Sequence, residues 1–304
     1  MPTSFQFNDI QGVEFGVAFD EDGSEQYALI PTDNAVRRAA RSMLDATLAK
    51  INASAGKSTL ERYEPSQLYG PEETLVLPFE DELCEKVRAI YSAENIQVDA
   101  TVIAEPDSIV YYFFVYLDGA NNKVLAVRRA TQFKGILRAR NRIISLVDDT
   151  LKIVDKPFFR LDIDFDWIVL DANVYILRPS GFEYTAEMDE VILSRAGERA
   201  VNLQTSISFL DTSAISEYVA CHKRAARLIA SISKQADLNL ISQTCLERVC
   251  KENGVELENN AGLIRPAAGF EKAFLELLDR RLYRVELIDG APERYEAKSR
   301  SRRK

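Results

Sequence analysis

Residues 109–117 read Ile-Val-Tyr-Tyr-Phe-Phe-Val-Tyr-Leu, and eight of these nine are β-branched or aromatic. Such a run suits an extended strand and is poor in helix formers. Gly119-Ala-Asn-Asn supplies turn residues directly after it, and Lys123–Arg129 returns, so the centre of the chain is predicted to be a hairpin. Any fold of this chain therefore has to accommodate a sheet. Val13–Phe19 and Gln26–Ile30 predict another hairpin around Asp20-Glu-Asp-Gly-Ser, and Leu75–Leu77 a short strand. Phe158–Ile163 and Phe165–Leu170 read as strands, followed by a tight turn at Asp171-Ala-Asn into Val174–Leu177. Tyr283–Ile288 and Glu293–Ala297 suggest a last hairpin around Asp289-Gly290.

Helical spacing marks the remaining elements. Thr32 and Asp33 open a helix whose apolar stripe is Val36, Ala40, Met43, Leu44, Thr47 and Ile51. Glu80–Ala93 turns Leu83, Val87, Ile90 and Tyr91 inward. Pro179 and Ser180 start a mostly helical half, since proline suits a first helical turn. Residues 213–234 read as one amphipathic helix with His222 on its apolar stripe. Asn239–Glu252 ends at Asn253-Gly254, a C-cap pair, and Phe270–Leu278 follows. The fold class is thus α+β: a mixed N-terminal α/β part, a central antiparallel strand-rich block and a mostly helical C-terminal half. The 304 residues divide into an N-terminal domain over 1–104, a second over 105–297, and a basic tail over 298–304.

Several classes of function are excluded. No apolar run approaches the ~18 residues of a membrane span, and the N-terminus has no secretory h-region, so a cytoplasmic protein is expected. Cys84, Cys221, Cys245 and Cys250 form no C-x-x-C pair, and His222 is the single histidine, which rules out common zinc sites. Cys221 and His222 are neighbours and would point about 100° apart on a helix, unsuited to a nucleophile–base pair. Gly56-Lys57-Ser58 echoes a phosphate loop, but Ile51 stands where that loop needs glycine, and the segment follows a helix. No motif indicates a cofactor or a metal.

Charge is the positive signal. The net charge is −9, yet residues 119–147 hold Lys123, Arg128, Arg129, Lys134, Arg138, Arg140 and Arg142 with no acid among them. A cationic stretch in an acidic protein can hold a polyanion locally while the rest repels it, so these seven residues are the candidate DNA contacts. As a strand, Arg138, Arg140 and Arg142 share one face; as a helix, Arg140 turns away. Asp162, Asp164 and Asp166 alternate with Ile163, Phe165 and Trp167, which in a strand puts all three carboxylates on one side. Such a row could hold Mg²⁺ and support a metal-dependent nuclease. A third possibility is a protein-interaction scaffold, with the acidic 72–107 segment docking a basic partner.

Two patterns add a resemblance. The run Phe159-Arg-Leu-Asp-Ile-Asp-Phe-Asp-Trp-Ile-Val-Leu, with Asp171-Ala-Asn, Val174-Tyr-Ile-Leu and Gly181-Phe-Glu, resembles a bacterial domain of the KwaB family. Gly269-Phe-Glu-Lys-Ala-Phe-Leu-Glu-Leu-Leu-Asp-Arg-Arg-Leu-Tyr and Tyr295-Glu-Ala are similar to the family's C-terminal end. The similarity spans roughly residues 105–297. It implies the soluble component of the Kiwa anti-phage system, a cytosolic protein that binds phage DNA and interferes with replication or transcription; a non-enzymatic effector is the first expectation. It also implies a homodimer or higher homo-oligomer, and a small membrane-protein partner of the KwaA type that recruits it to the inner membrane without insertion. The basic residues above come from charge alone; the family supplies no catalytic set.

Overall fold

The computed structural model describes residues 4–56, 60–65, 67, 69–70, 73–104, 108–130, 144–147, 150–153, 160–285 and 293–297. Two compact units make up the chain: residues 1–63 with 69–187, and residues 64–68 with 188–304.

The first unit is built on a sheet with helices against it. In chain order it contains β1 (Ile10–Glu21), β2 (Ser24–Ile30), α1 (Asn34–Ala55), β3 (Glu61–Arg62), β4 (Leu75–Pro78) and α2 (Glu85–Ser92). There follow β5 (Ile109–Asp118), β6 (Lys123–Arg129), the small hairpin of β7 (Ile144–Val147) and β8 (Thr150–Ile153), then β9 (Trp167–Leu170), β10 (Asn173–Ile176) and α3 (Pro179–Thr185). Eight strands join in the order β2-β1-β5-β6-β9-β10-β4-β3, antiparallel except for β3 against β4. The sheet takes strands from both sides of residue 104.

Strand β5 lies inside it, between β1 and β6. Tyr111, Tyr112, Phe113, Phe114 and Tyr116 are all buried, so this strand is covered on both faces. Its register sets Phe113 opposite Gly16 of β1. The Phe113 ring occupies the space a Cβ at Gly16 would need, which explains a glycine in mid-strand. On one face, Ala40, Met43, Leu44 and Ile51 of α1 pack with Phe15, Val17, Tyr112, Phe114, Tyr116 and Phe165. The Asp33 carboxylate caps α1 by accepting from the Val36 N–H at 2.8 Å. Gly56 ends the helix, and the Lys57-Ser58 pair that echoed a phosphate loop lies outside the described residues.

The expected turn between β9 and β10 is present, with Asp171 and Ala172 both at positive φ, the conformation of a two-residue hairpin loop. Of the strand expected over 158–163, the described part is not one: residues 160–166 have no regular structure, and β9 begins only at Trp167. The backbone of this segment is satisfied by other elements. The Asp162 N–H donates to the Tyr112 hydroxyl (3.0 Å), the Phe165 N–H to the Thr47 hydroxyl (3.1 Å), and the Asp166 N–H to the Val127 carbonyl (2.9 Å). Partners from α1, β5 and β6 replace a ladder, and that is why alternating residues here do not make a strand.

The second unit is mostly helical: α4 (Asp189–Ser206), α5 (Ser213–Cys221), α6 (Lys223–Ser233), α7 (Gln243–Asn253), the hairpin of β11 (Leu257–Asn260) and β12 (Leu263–Pro266), α8 (Glu271–Leu278), and the paired strands β13 (Leu282–Val285) and β14 (Glu293–Glu296). Gly254 caps α7 at φ 70°, as Asn253-Gly254 predicts. The single helix expected over 213–234 is two, broken at His222, whose backbone is extended. His222 is exposed, not on the apolar stripe: its Nδ1 lies 2.8 Å from the Tyr218 carbonyl oxygen and its ring stacks on Tyr218 at 4.2 Å. The ring takes a carbonyl that the helix end leaves open, which stabilises the break.

Candidate functional site

The segment 160–166 crosses the end of β6 and the start of α3, and its three aspartates meet cations from distant parts of the chain. Asp162 accepts from Arg128 Nε at 3.0 Å and lies 3.6 Å from Arg160. Asp164, fully buried, is held by Lys50 of α1 and by Arg178 Nη2 at 2.5 Å. Asp166 accepts from Arg128 Nη1 at 2.5 Å, from the Arg129 backbone N–H at 2.8 Å, and lies 3.5 Å from Arg178 Nη1. The carbonyl oxygen of Asp166 also accepts the Leu177 and Arg178 N–H groups at 2.8 and 3.0 Å. One residue thus joins the end of β6, the loop and the approach to α3.

The electrostatics of the three carboxylates differ. Burial works to raise the Asp164 carboxyl, but Lys50 and Arg178 outweigh it and hold that group below the ordinary carboxylate range. Burial dominates at Asp166 and pushes it above that range, against the pull of Arg128. Arg128 is half-buried, which works to lower it, yet its partners Asp166 and Asp162 outweigh this and raise it. The folded value of Asp164 lies below its unfolded one, so its contribution to stability is present above about pH 4 and lost as the pH falls through the folded value. Asp166, shifted the other way, works against that loss. Asp164→Asn is therefore expected to flatten the acid side of the stability curve, read as urea midpoints between about pH 5 and pH 3. A curve parallel to the parent's would refute the assignment.

Beside this cluster lies a cleft of about 490 Å³, lined among others by Val110, Arg128, Arg129, Asp166, Arg178 and Tyr184. The Arg129 guanidinium lies over the Tyr184 ring, 3.8 Å from its centroid, a cation–π contact that fixes an otherwise mobile side chain. Four cations (Lys50, Arg128, Arg160 and Arg178) pair with three carboxylates, and the Arg129 guanidinium over Tyr184 adds a fifth positive charge beside them.

The candidate DNA contacts divide. Arg128 is only 15% exposed and committed to Asp162 and Asp166, so it braces the cleft more than it faces solvent. Arg129 is exposed at the cleft. Lys123 starts β6 while the arginines end it, a separation of about 17 Å at ~3.3 Å per residue. It is half-buried, donates to the Tyr91 carbonyl and lies over the Tyr91 ring at 4.7 Å; burial lowers its pKa. Lys134, Arg138, Arg140 and Arg142 lie outside the described residues. Asp162, Asp164 and Asp166 are brought together, but not as an open row. A divalent cation would have to displace Lys50, Arg128 and Arg178 from their oxygens, and among the described residues no cluster of three metal-binding side chains occurs. Lys50, Arg160, Arg178 and Tyr184 escaped the sequence reading; Lys50 sits three residues past Thr47, on the turn of α1 that meets this loop.

These features define a mixed α+β protein whose antiparallel-rich sheet carries an arginine–aspartate cluster bordering a cationic cleft. The chain belongs to the KwaB-like family: the family described as Kiwa protein KwaB-like matches residues 108–287, well over half its length. That range contains β5, β6, the aspartate segment, α3 and most of the helical unit. Membership ties the chain to Kiwa anti-phage defence and implies association with other Kiwa components. No curated protein and no solved structure matches it. Among the described residues, no helix is long and apolar enough to cross a membrane.

Proposed function

We propose that the chain is a DNA-binding, non-enzymatic effector of anti-phage defence that grips backbone phosphates largely without regard to sequence and so obstructs phage replication or transcription. The observation that carries this reading is the cationic excess of the cleft lining, Arg128, Arg129 and Arg178 against Asp166, together with the acid-free composition of residues 119–147. Arg129 belongs to both. Arg128, neutralised by Asp162 and Asp166, serves as a brace, while Lys134, Arg138, Arg140 and Arg142 add further phosphate contacts. The protein acts in the cytoplasm as a homo-oligomer, held at the inner membrane by a KwaA-type partner.

Phosphate contacts release counterions, so affinity falls with salt in proportion to their number. Replacing Arg138, Arg140 and Arg142 by glutamine is expected to reduce the slope of log affinity against log salt by about 2.7, at ~0.9 per contact. A filter-binding titration of duplex DNA across the salt range measures it. An unchanged slope would remove these residues from the interface.

A further inference from the structure

We propose that the cleft between β6, the aspartate segment and α3 is a site for a single phosphorylated nucleotide, with the phosphate held by Arg129 and Arg178 and the base stacked beside Tyr184. This goes beyond contact with a continuous backbone, because it specifies one nucleotide unit in a walled site and stands on the cleft alone. The cleft measures about 490 Å³, within the roughly 300–1,000 Å³ typical of pockets that enclose small ligands. Its chemistry is selective for anions. Both Asp166 oxygens are already engaged, Oδ1 by Arg128 and Arg178 and Oδ2 by the Arg129 N–H, so the acid in the wall is neutralised. Arg178 is one-third exposed, its Nη1 and Nη2 anchored on the Phe165 carbonyl and Asp164, so the guanidinium is held rigid at the surface. Arg129 is exposed, and its guanidinium lies over Tyr184. A planar guanidinium presented in this way serves a phosphate with its edge and an aromatic ring with its face. Tyr184 is 42% exposed, unusual for a large aromatic, and adds a second ring surface. Ser180 supplies a hydroxyl on the same wall.

The nucleotide can be a free monophosphate or the phosphorylated end of a DNA strand; both present the same group. Calorimetric titration of the full-length protein with deoxyadenosine 5′-monophosphate, inorganic phosphate and deoxyadenosine tests the site. The nucleotide is expected to bind at least about tenfold tighter than either part, since stacking and phosphate contacts add. Tyr184→Ala and Arg129→Gln, both at exposed positions, should each cost about tenfold in nucleotide affinity. A nucleotide no tighter than phosphate, or one indifferent to Tyr184→Ala, would overturn the site. Competition then assigns the source: displacement by a 5′-phosphorylated oligonucleotide and not by its 5′-hydroxyl twin identifies a strand end, and failure of both identifies a free nucleotide. Closed-circular DNA has no ends, so its binding tests the backbone reading separately. Circular DNA bound without nucleotide binding defeats only the cleft; nucleotide bound without circular DNA defeats only the backbone reading.

Discussion

Asp166→Ala is expected to destabilise the first unit by about 3–5 kcal/mol, the cost of removing one partner from a buried ion pair. The reason lies in what the carboxylate leaves behind. Arg128 is 15% exposed, so after the substitution its guanidinium keeps Asp162 but faces a vacated, desolvated oxygen site. The Arg129 N–H loses its acceptor, and Arg178 loses one of two carboxylates. The probe is built in: Trp167, the single tryptophan, follows Asp166 directly, is fully buried, and donates its indole N–H to the Thr185 hydroxyl at 2.7 Å. Its fluorescence in urea therefore reports this unit and not the helical one, which matters because a chain of two units need not unfold in one step. Arg128→Met together with Asp162→Asn in the Asp166→Ala background removes the stranded guanidinium without leaving the Asp162 carboxylate short of its nearest cation, and should recover part of the loss. Arg160→Ala, which removes an exposed guanidinium 3.6 Å from an Asp162 that keeps Arg128, is the control and should cost about 1 kcal/mol at most. A loss under about 1 kcal/mol for Asp166→Ala would mean that the cluster is peripheral to the fold.

Elements with local causes were legible in the sequence. The β5–β6 hairpin, the capped start of α1, the turn at Asp171-Ala172 and the glycine cap of α7 each follow from residues within a few positions of one another. What was hidden depends on distant partners. Nothing local says that β1 pairs with β5 or β10 with β4, yet those pairings make the sheet. The aspartate segment shows the difficulty most clearly. Asp-Ile-Asp-Phe-Asp looks the same whether the carboxylates face water from a strand or pair with Lys50, 114 residues earlier, and with Arg128. Ile163 betrays the difference: a strand would bury it with Phe165 and Trp167, but it is 76% exposed while they are buried. His222 fits helical periodicity equally well, and only its stacking on Tyr218 shows where the helix breaks. For the site, charge clustering pointed to Arg128 and Arg129, but not to which of them is spent on an internal partner. Arg178 and Tyr184 belong to no local pattern and become visible only once α3 stands beside β6.

Gly181→Ala should destabilise the protein, although the same change in an ordinary helix interior stabilises by roughly 0.5–1 kcal/mol. Gly181 lies in α3 and is buried against the cluster. A Cβ there would fall on the Asp166 carboxylate and lie 2.7 Å from the Asp166 Cβ. That carboxylate cannot swing aside without giving up Arg128, the Arg129 N–H and Arg178 together. Overpacking of a tight site costs about 1–3 kcal/mol, and strained ion pairs add to it. The cost should shrink once the carboxylate is gone. In the Asp166→Ala background, the added methyl group meets no carboxylate and disturbs no ion pair, and only the close approach to the Cβ of residue 166 remains. Gly181→Ala is then less destabilising there, giving a coupling energy of about 0.5–3 kcal/mol between the two positions. Urea unfolding of the four species, followed at Trp167, completes the cycle. Equal effects of Gly181→Ala in both backgrounds would show that α3 and the aspartate are not in the contact described, and with it the cleft would lose the wall that holds Arg178 in place.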